Sequence, residues 1–161
     1  MNPLYVGIDV SSKSNVAFLM KPDGSKHSCF SVKNSLDGSR HLIKHILHAL
    51  SSESLTDVIL GLEATSVYGD NLVCFLREDG SLTPFNRKIH VLNPKQVAKF
   101  KLSYNDLPKN DYVDSFVIAA CALVLSTKRS IWMTTAIKPS RTLQGPGSSL
   151  SRTSSGKNSV F

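Results

Sequence analysis

A mixed α/β domain, with five strands in one sheet and helices on both faces, is the fold class this sequence predicts. Three observations lead there. Residues 4–10 and 57–63 are apolar almost throughout, as strands covered on both faces are. The chain opens with an antiparallel meander, marked by the turn signal Pro22-Asp23-Gly24. From residue 36 onward, helical and strand patterns alternate, which favours parallel strands joined by crossover helices.

Each element follows in order. Residues 4–10 form the first strand, and Ser11-Ser12-Lys13-Ser14 a short turn. Residues 15–20 and 26–32 form the second and third strands. A helix over 36–50 places Leu42, Ile43, Ile46, Leu47 and Leu50 on one face. Residues 57–63 are the fourth strand, and 66–77 a helix ended by Asp79-Gly80. A fifth strand occupies 88–92, and Pro94 opens a helix to about Phe100. After a loop over 103–108, the last helix runs from Asp111 to Leu125. The expected division is a folded domain over 1–127 and an irregular or disordered, basic, Ser/Gly-rich tail over 128–161. From Lys138 that tail has seven Ser, three Gly and no acid, too little apolar surface to offset its ordering entropy.

At 161 residues the chain is long enough for one sizeable core. No apolar run approaches the ~18 residues that span a membrane, and Met1-Asn2-Pro3 leads straight into a strand rather than a secretory signal. A cytoplasmic location without membrane contact is the expectation. The net charge of +7 is uneven: residues 1–114 hold 13 Lys/Arg against 12 Asp/Glu, and the last 47 hold six against none. Arg87, Lys88, His90, Lys95, Lys99 and Lys101 form a second basic stretch. It reads either as a phosphate-contacting surface or as a solvated face. Cys29, Cys74 and Cys121 lack metal-ligand spacing and read as buried free thiols.

Four carboxylates stand out. Asp9 and Glu63 interrupt or end apolar strand runs, where a negative charge is costly unless a cation meets it. In the expected topology the first and fourth strands are adjacent and parallel, so both acids lie at the carboxyl edge where such sheets form ligand sites. Asp111 and Asp114, three apart at the start of the last helix, share one face. Like charges so close would raise one another's proton affinity. Two Mg²⁺ or Mn²⁺ ions, oxygen-liganded and roughly 3.5–4 Å apart, would relieve that conflict and suit phosphodiester cleavage. The plainer alternative makes Asp111 a helix cap and Asp114 a partner of the helix dipole. Gly7 adds a hint, since glycine in a strand often marks close approach by another group.

Four motifs occur in register: residues 6–11, VGIDVS; 63–69, EATSVYG; 91–94, VLNP, with Phe100 and Ser103; and 109–115, KNDYVDS, with Ile118-Ala119. Together they resemble the N-terminal domain of the DEDD insertion-sequence transposases, relatives of the pilin-gene invertases, over residues 4–125. The resemblance implies a RuvC-like fold of the RNase H superfamily, with Asp9, Glu63, Asp111 and Asp114 as the metal-binding catalytic tetrad for Mg²⁺ or Mn²⁺. It further implies DNA as substrate, an element-encoded guide RNA as a possible partner, and homo-oligomers. Lys95, Lys99 and Lys101 would meet nucleic acid. The chain departs from the family pattern at Asn110, usually Thr or Ser, and at Ser115, usually Ala. Nothing corresponds to the family's helical spacer and serine-bearing second domain, and residues 141–161 read as a frameshifted, decayed or cut continuation.

Other signals are weaker. His41, His45 and His48 line one side of a helix, but His41 and His48 lie roughly 10 Å apart along its axis, too far to share one ion. Ser11, Ser12 and Lys13 suit a phosphate cradle of the actin-like ATPases, whose second domain and glycine-rich segments are missing. Trp132 reads as a stray apolar residue or a contact for another domain. A catalytically dead nucleic-acid-binding or dimerisation remnant stays open beside the transposase reading.

Overall fold

The computed structural model describes residues 2–63, 67–104 and 112–135. In chain order the elements are β1 (Pro3–Val10), β2 (Ser14–Met20), β3 (Lys26–Lys33), α1 (Leu36–Ser52) and β4 (Asp57–Glu63). Then come α2 (Val67–Glu78), a 3-10 turn (Gly80–Leu82), β5 (Asn86–Leu92), α3 (Pro94–Leu102) and α4 (Val113–Thr135). The strands form one sheet in the order β3-β2-β1-β4-β5. β4 is parallel to both β1 and β5, and β2 runs antiparallel to β1 and β3. The mixed five-stranded sheet is therefore the one predicted, with β1 beside β4 at its centre. This order, with β2 alone reversed, is the RNase H-like, RuvC-like arrangement.

Alternation along each strand sorts the residues between two faces. Leu4, Val6 and Ile8 of β1, Ala17 and Leu19 of β2, and Val58, Leu60 and Leu62 of β4 pack against α1 and α2. The predicted stripe of α1 supplies Leu42, Ile43, Ile46 and Leu50 to this core. On the other face, Tyr5, Phe18 and Ile59 meet Ala119 and Ala122 of α4. Gly7 and Gly61, directly opposed in register, form the floor on which α4 rests. A Cβ on Gly7 would fall well inside 3.0 Å of the Ser115 carbonyl oxygen and the Ala119 amide nitrogen. The helix backbone thus sits directly on the strand, the close approach that Gly7 hinted at.

Local chemistry fixes the ends. Ser35 caps α1 by accepting from the Gly38 amide at 3.2 Å, and Asn93 caps α3 by accepting from Lys95 at 2.9 Å, with Pro94 entering the helix behind it. In the β2–β3 turn Gly24 takes φ +86°, a conformation that costs glycine little. Asp57 accepts from the Asn2 amide (3.2 Å), the Thr56 hydroxyl (2.7 Å) and the Asn86 side-chain amide (2.8 Å). One carboxylate therefore ties the amino-terminal ends of β1, β4 and β5 together.

Two expectations need correction. α4 continues to Thr135, ten residues past the predicted end at Leu125; the next proline is Pro139, and no glycine intervenes to stop it. Of the cysteines, Cys121 is buried and Cys29 half-buried, but Cys74 is exposed. It falls between Val73 and Leu76, on the outer side of α2, whose inner side carries Leu72, Val73 and Leu76. Among the described residues no helix is long and apolar enough to cross a membrane. Residues 136–161 of the expected tail lie outside the described residues.

Candidate functional site

The site is built where β1 and β4 end. Their pairing closes with Ile8 opposite Leu62, so one more step along both strands sets Asp9 beside Glu63. Parity puts both side chains on the face covered by α4, with Tyr5, Gly7, Ile59 and Gly61. Asp9 is the penultimate residue of β1 and Glu63 the last of β4, and both are partly buried. Asp114 arrives from the first turn of α4. Its carboxylate accepts from the Lys101 ammonium at 2.6 Å, across the gap between α3 and α4.

Electrostatics ties these acids together. The Asp9 carboxyl is held above its ordinary value by burial and by the negative charge of Asp114, with Lys101 opposing. Glu63 is also raised, by burial, then by Asp9 and Asp114, again against Lys101. Three carboxylates from three separate elements thus repel one another, and Lys101 is the ammonium that partly answers them. With the two side chains 46% and 50% exposed, that ion pair contributes only ~0.2–1 kcal/mol.

Asp111, the fourth acid of the sequence reading, lies outside the described residues. Among the described residues no group of three or more His, Cys, Asp or Glu side chains is gathered tightly enough to hold a metal ion. Lys95 and Lys99 project from α3 as exposed residues, whereas Lys101 spends its charge on Asp114. His41, His45 and His48 are exposed on α1, and the His45 ring stacks on Phe30 with centroids 4.1 Å apart.

Beside the acids opens a cavity of about 370 Å³ that the sequence reading missed. Asp9 and Asp114 line it together with Ser11, Ser14, Val16, Ser31 and Tyr112. Its trace in the sequence is the Ser11-Ser12-Lys13 turn, which suits a phosphate cradle; Ser31 is a polar residue on the α4 side of β3. A second hollow of about 150 Å³, between Leu92, Val97 and Phe100 on one side and Cys121, Val124 and Leu125 on the other, is apolar. Burial, helped by the charge of Glu63, pushes the Cys121 thiol up to about 11, so it is no nucleophile at neutral pH.

A sequence model of DEDD insertion-sequence transposases, described as transposase, matches residues 6–135. No curated protein matches the chain. Among solved structures, the fowlpox virus resolvase crystallised with its substrate Holliday junction DNA is a distant likeness. Its TM-score is 0.43 at 18% identity, covering 81% of this chain and 99% of that one. The family match spans both acidic strands, the lysines of α3 and all of α4, and on that match the chain belongs to the DEDD insertion-sequence transposases.

Proposed function

We propose that this domain is the nuclease-like part of a DNA transposase or recombinase, in which Asp9, Glu63 and Asp114, together with Asp111, hold Mg²⁺ or Mn²⁺. One observation carries the reading: at the carboxyl edge of the sheet, burial and the negative charge of Asp114 hold the Asp9 carboxyl above its ordinary value, and burial, Asp9 and Asp114 do the same to Glu63. A cluster of hard oxygen donors with surplus negative charge suits a hard divalent cation and disfavours zinc. When bound, such ions supply polarisation of the attacking and leaving oxygens of a phosphodiester.

The chain's own residues do the rest. Asp9 and Glu63 are fixed by strand backbone, so their spacing is set by sheet register. Asp114 is held by the seating of α4 on Gly7 and Gly61. Lys101 neutralises part of the charge through one oxygen of Asp114 and so competes with a cation for that carboxylate. Lys95 and Lys99 offer exposed charge to DNA along α3. A guide RNA partner, self-association, a cytoplasmic setting and dependence on a serine-bearing domain for strand transfer belong to the same proposal, through the family.

Calorimetric titration with Mn²⁺ tests it. Binding by the wild-type chain that is lost in Asp9→Asn and in Glu63→Gln is the expected result; binding undiminished in both variants refutes the assignment. The competing reading, a nucleic-acid-binding remnant without chemistry, draws on the Lys101–Asp114 pair, which already satisfies one ligand. It predicts salt-sensitive DNA binding that survives Asp114→Asn with no cleavage under any metal.

A further inference from the structure

We infer that the cavity beside the acids seats a short stretch of single-stranded DNA, led away from the carboxylates across β2 and β3 by Ser14, Ser31 and Lys33 and flanked by Tyr112. The inference deepens the transposase reading and rests on it, because it names the path by which a strand reaches Asp9 and Asp114.

The geometry supplies the path. β1, β2 and β3 are consecutive in the sheet, so β1 to β3 spans roughly 10 Å at about 4.8 Å per strand. Val16 pairs with Ser31 and Ser14 with Lys33 in the β2–β3 register. Cys29, two residues before Ser31, packs with Phe18 against α4. Alternation therefore puts Ser31 and Lys33 on that same face, beyond the part of the sheet that α4 covers. Both are exposed.

The chemistry suits a nucleotide strand better than a small apolar ligand. The Ser31 hydroxyl has no partner among the described residues, so it can donate to a phosphate oxygen. Ser11 is already engaged: its hydroxyl donates to the Ser14 carbonyl at 2.6 Å and accepts from the Ser14 amide at 3.1 Å. Its part is to hold the turn that presents Ser14. Tyr112, 46% exposed at the mouth of α4, offers a ring on which a base of any identity can stack. Lys33 places a cation at the outer end, away from the carboxylates, where a phosphate meets attraction rather than repulsion. At about 370 Å³ the cavity lies within the ~300–1,000 Å³ range of ligand sites.

The test is fluorescence anisotropy with a short labelled oligothymidylate and the full chain, alongside Mn²⁺ calorimetry. Ser31→Asp and Tyr112→Ala are each expected to weaken single-strand binding on the order of tenfold, the size of one base–aromatic stack. Tyr112→Phe keeps the affinity. Lys33→Gln lowers the slope of log K against log salt by about 0.7, one phosphate contact on a single strand. Mn²⁺ binding stays at the wild-type level in all four. Wild-type affinity and salt slope in Ser31→Asp, Tyr112→Ala and Lys33→Gln together would overturn the inference, as would absence of single-strand binding by the unmodified chain. Failure of the metal reading looks different: no Mn²⁺ uptake, with the trough variants still impaired. Circular dichroism checks each fold, and the exposed Lys33 keeps the test decisive if Ser31→Asp misfolds.

Discussion

Replacing Gly7 with alanine places one methyl group where β1 and α4 meet. That carbon would lie well inside 3.0 Å of two backbone atoms, the Ser115 oxygen and the Ala119 nitrogen. Neither can rotate away as a side chain would. Carbon contacts settle near 3.5–4 Å, so α4 must retreat by about 1 Å or more. The retreat opens the contacts of Val117, Ile118, Ala119 and Ala122, all fully buried. Overpacking a core costs about 1–3 kcal/mol and occasionally more, and a purely backbone clash belongs at the upper end. Against it stands a gain of about 0.4–1 kcal/mol from stiffening the unfolded chain. A net loss of about 2–3 kcal/mol is expected, which lowers the melting temperature by roughly 5–10 °C at this size.

Gly61→Ala is the internal control. Its Cβ would meet the Ala122 methyl at 3.1 Å and an Ile118 methyl and the Ile118 carbonyl oxygen at 3.2 Å, contacts that a shift of a few tenths of an ångström relieves, whereas those at Gly7 are far closer. Urea and thermal denaturation followed by circular dichroism should rank Gly7→Ala well below Gly61→Ala. Equal stability of the two, or Gly7→Ala within about 0.5 kcal/mol of wild type, would refute the seating of α4 described above. Because α4 carries Asp114, Gly7→Ala should also weaken Mn²⁺ binding.

Three further outcomes follow from the same charges. In metal-free buffer the raised carboxyl of Asp9 means that the folded state holds its proton more tightly than the unfolded one. Stability therefore falls as pH rises from the unfolded value near 3.8 through the raised folded value; Asp9→Asn should be the more stable protein at pH 7, and urea titrations should show that advantage vanishing below about pH 4. Asp57 is shifted the opposite way, chiefly by the Thr56 hydroxyl and against some burial, then by Asn86 and Asn2. Its contribution is present above its ordinary value and lost as pH falls through the lowered one, so Asp57→Ala should cost about 2–3 kcal/mol at pH 7 and progressively less in acid. Lys101→Ala frees the Asp114 carboxylate; calorimetry should find Mn²⁺ bound up to about fivefold more tightly, as for a competing surface ion pair of up to ~1 kcal/mol.

Much of this was readable from the residues because the signals were local. A carboxylate inside an apolar run, as at Asp9 and Glu63, is costly enough to demand a reason, and the strand order follows from the meander and the crossover helices. Gly7 announced a close neighbour without naming it. What stayed hidden depends on distant pairings. Lys101 read as one more cation of a basic stretch; only the folded chain brings it to Asp114. Ser31 carries no mark of its own in the sequence; only the fold shows it lying on the α4 side of β3, past the Cys29 contact. The end of α4 was misplaced because Lys128 and Arg129 interrupt the apolar pattern without breaking backbone hydrogen bonds.

Backbone seated on backbone leaves no soft layer between α4 and the central strands. Asp114 stands at one end of a helix whose axis, at 1.5 Å per residue, reaches about 30 Å to Thr135. The fulcrum of that lever is the pair of glycines. A partner gripping the far end would tilt the near one, opening or closing the distance from Asp114 to Asp9 without any hinge in between. Should the self-association proposed above engage that far end, its force would reach Asp114 through the helix.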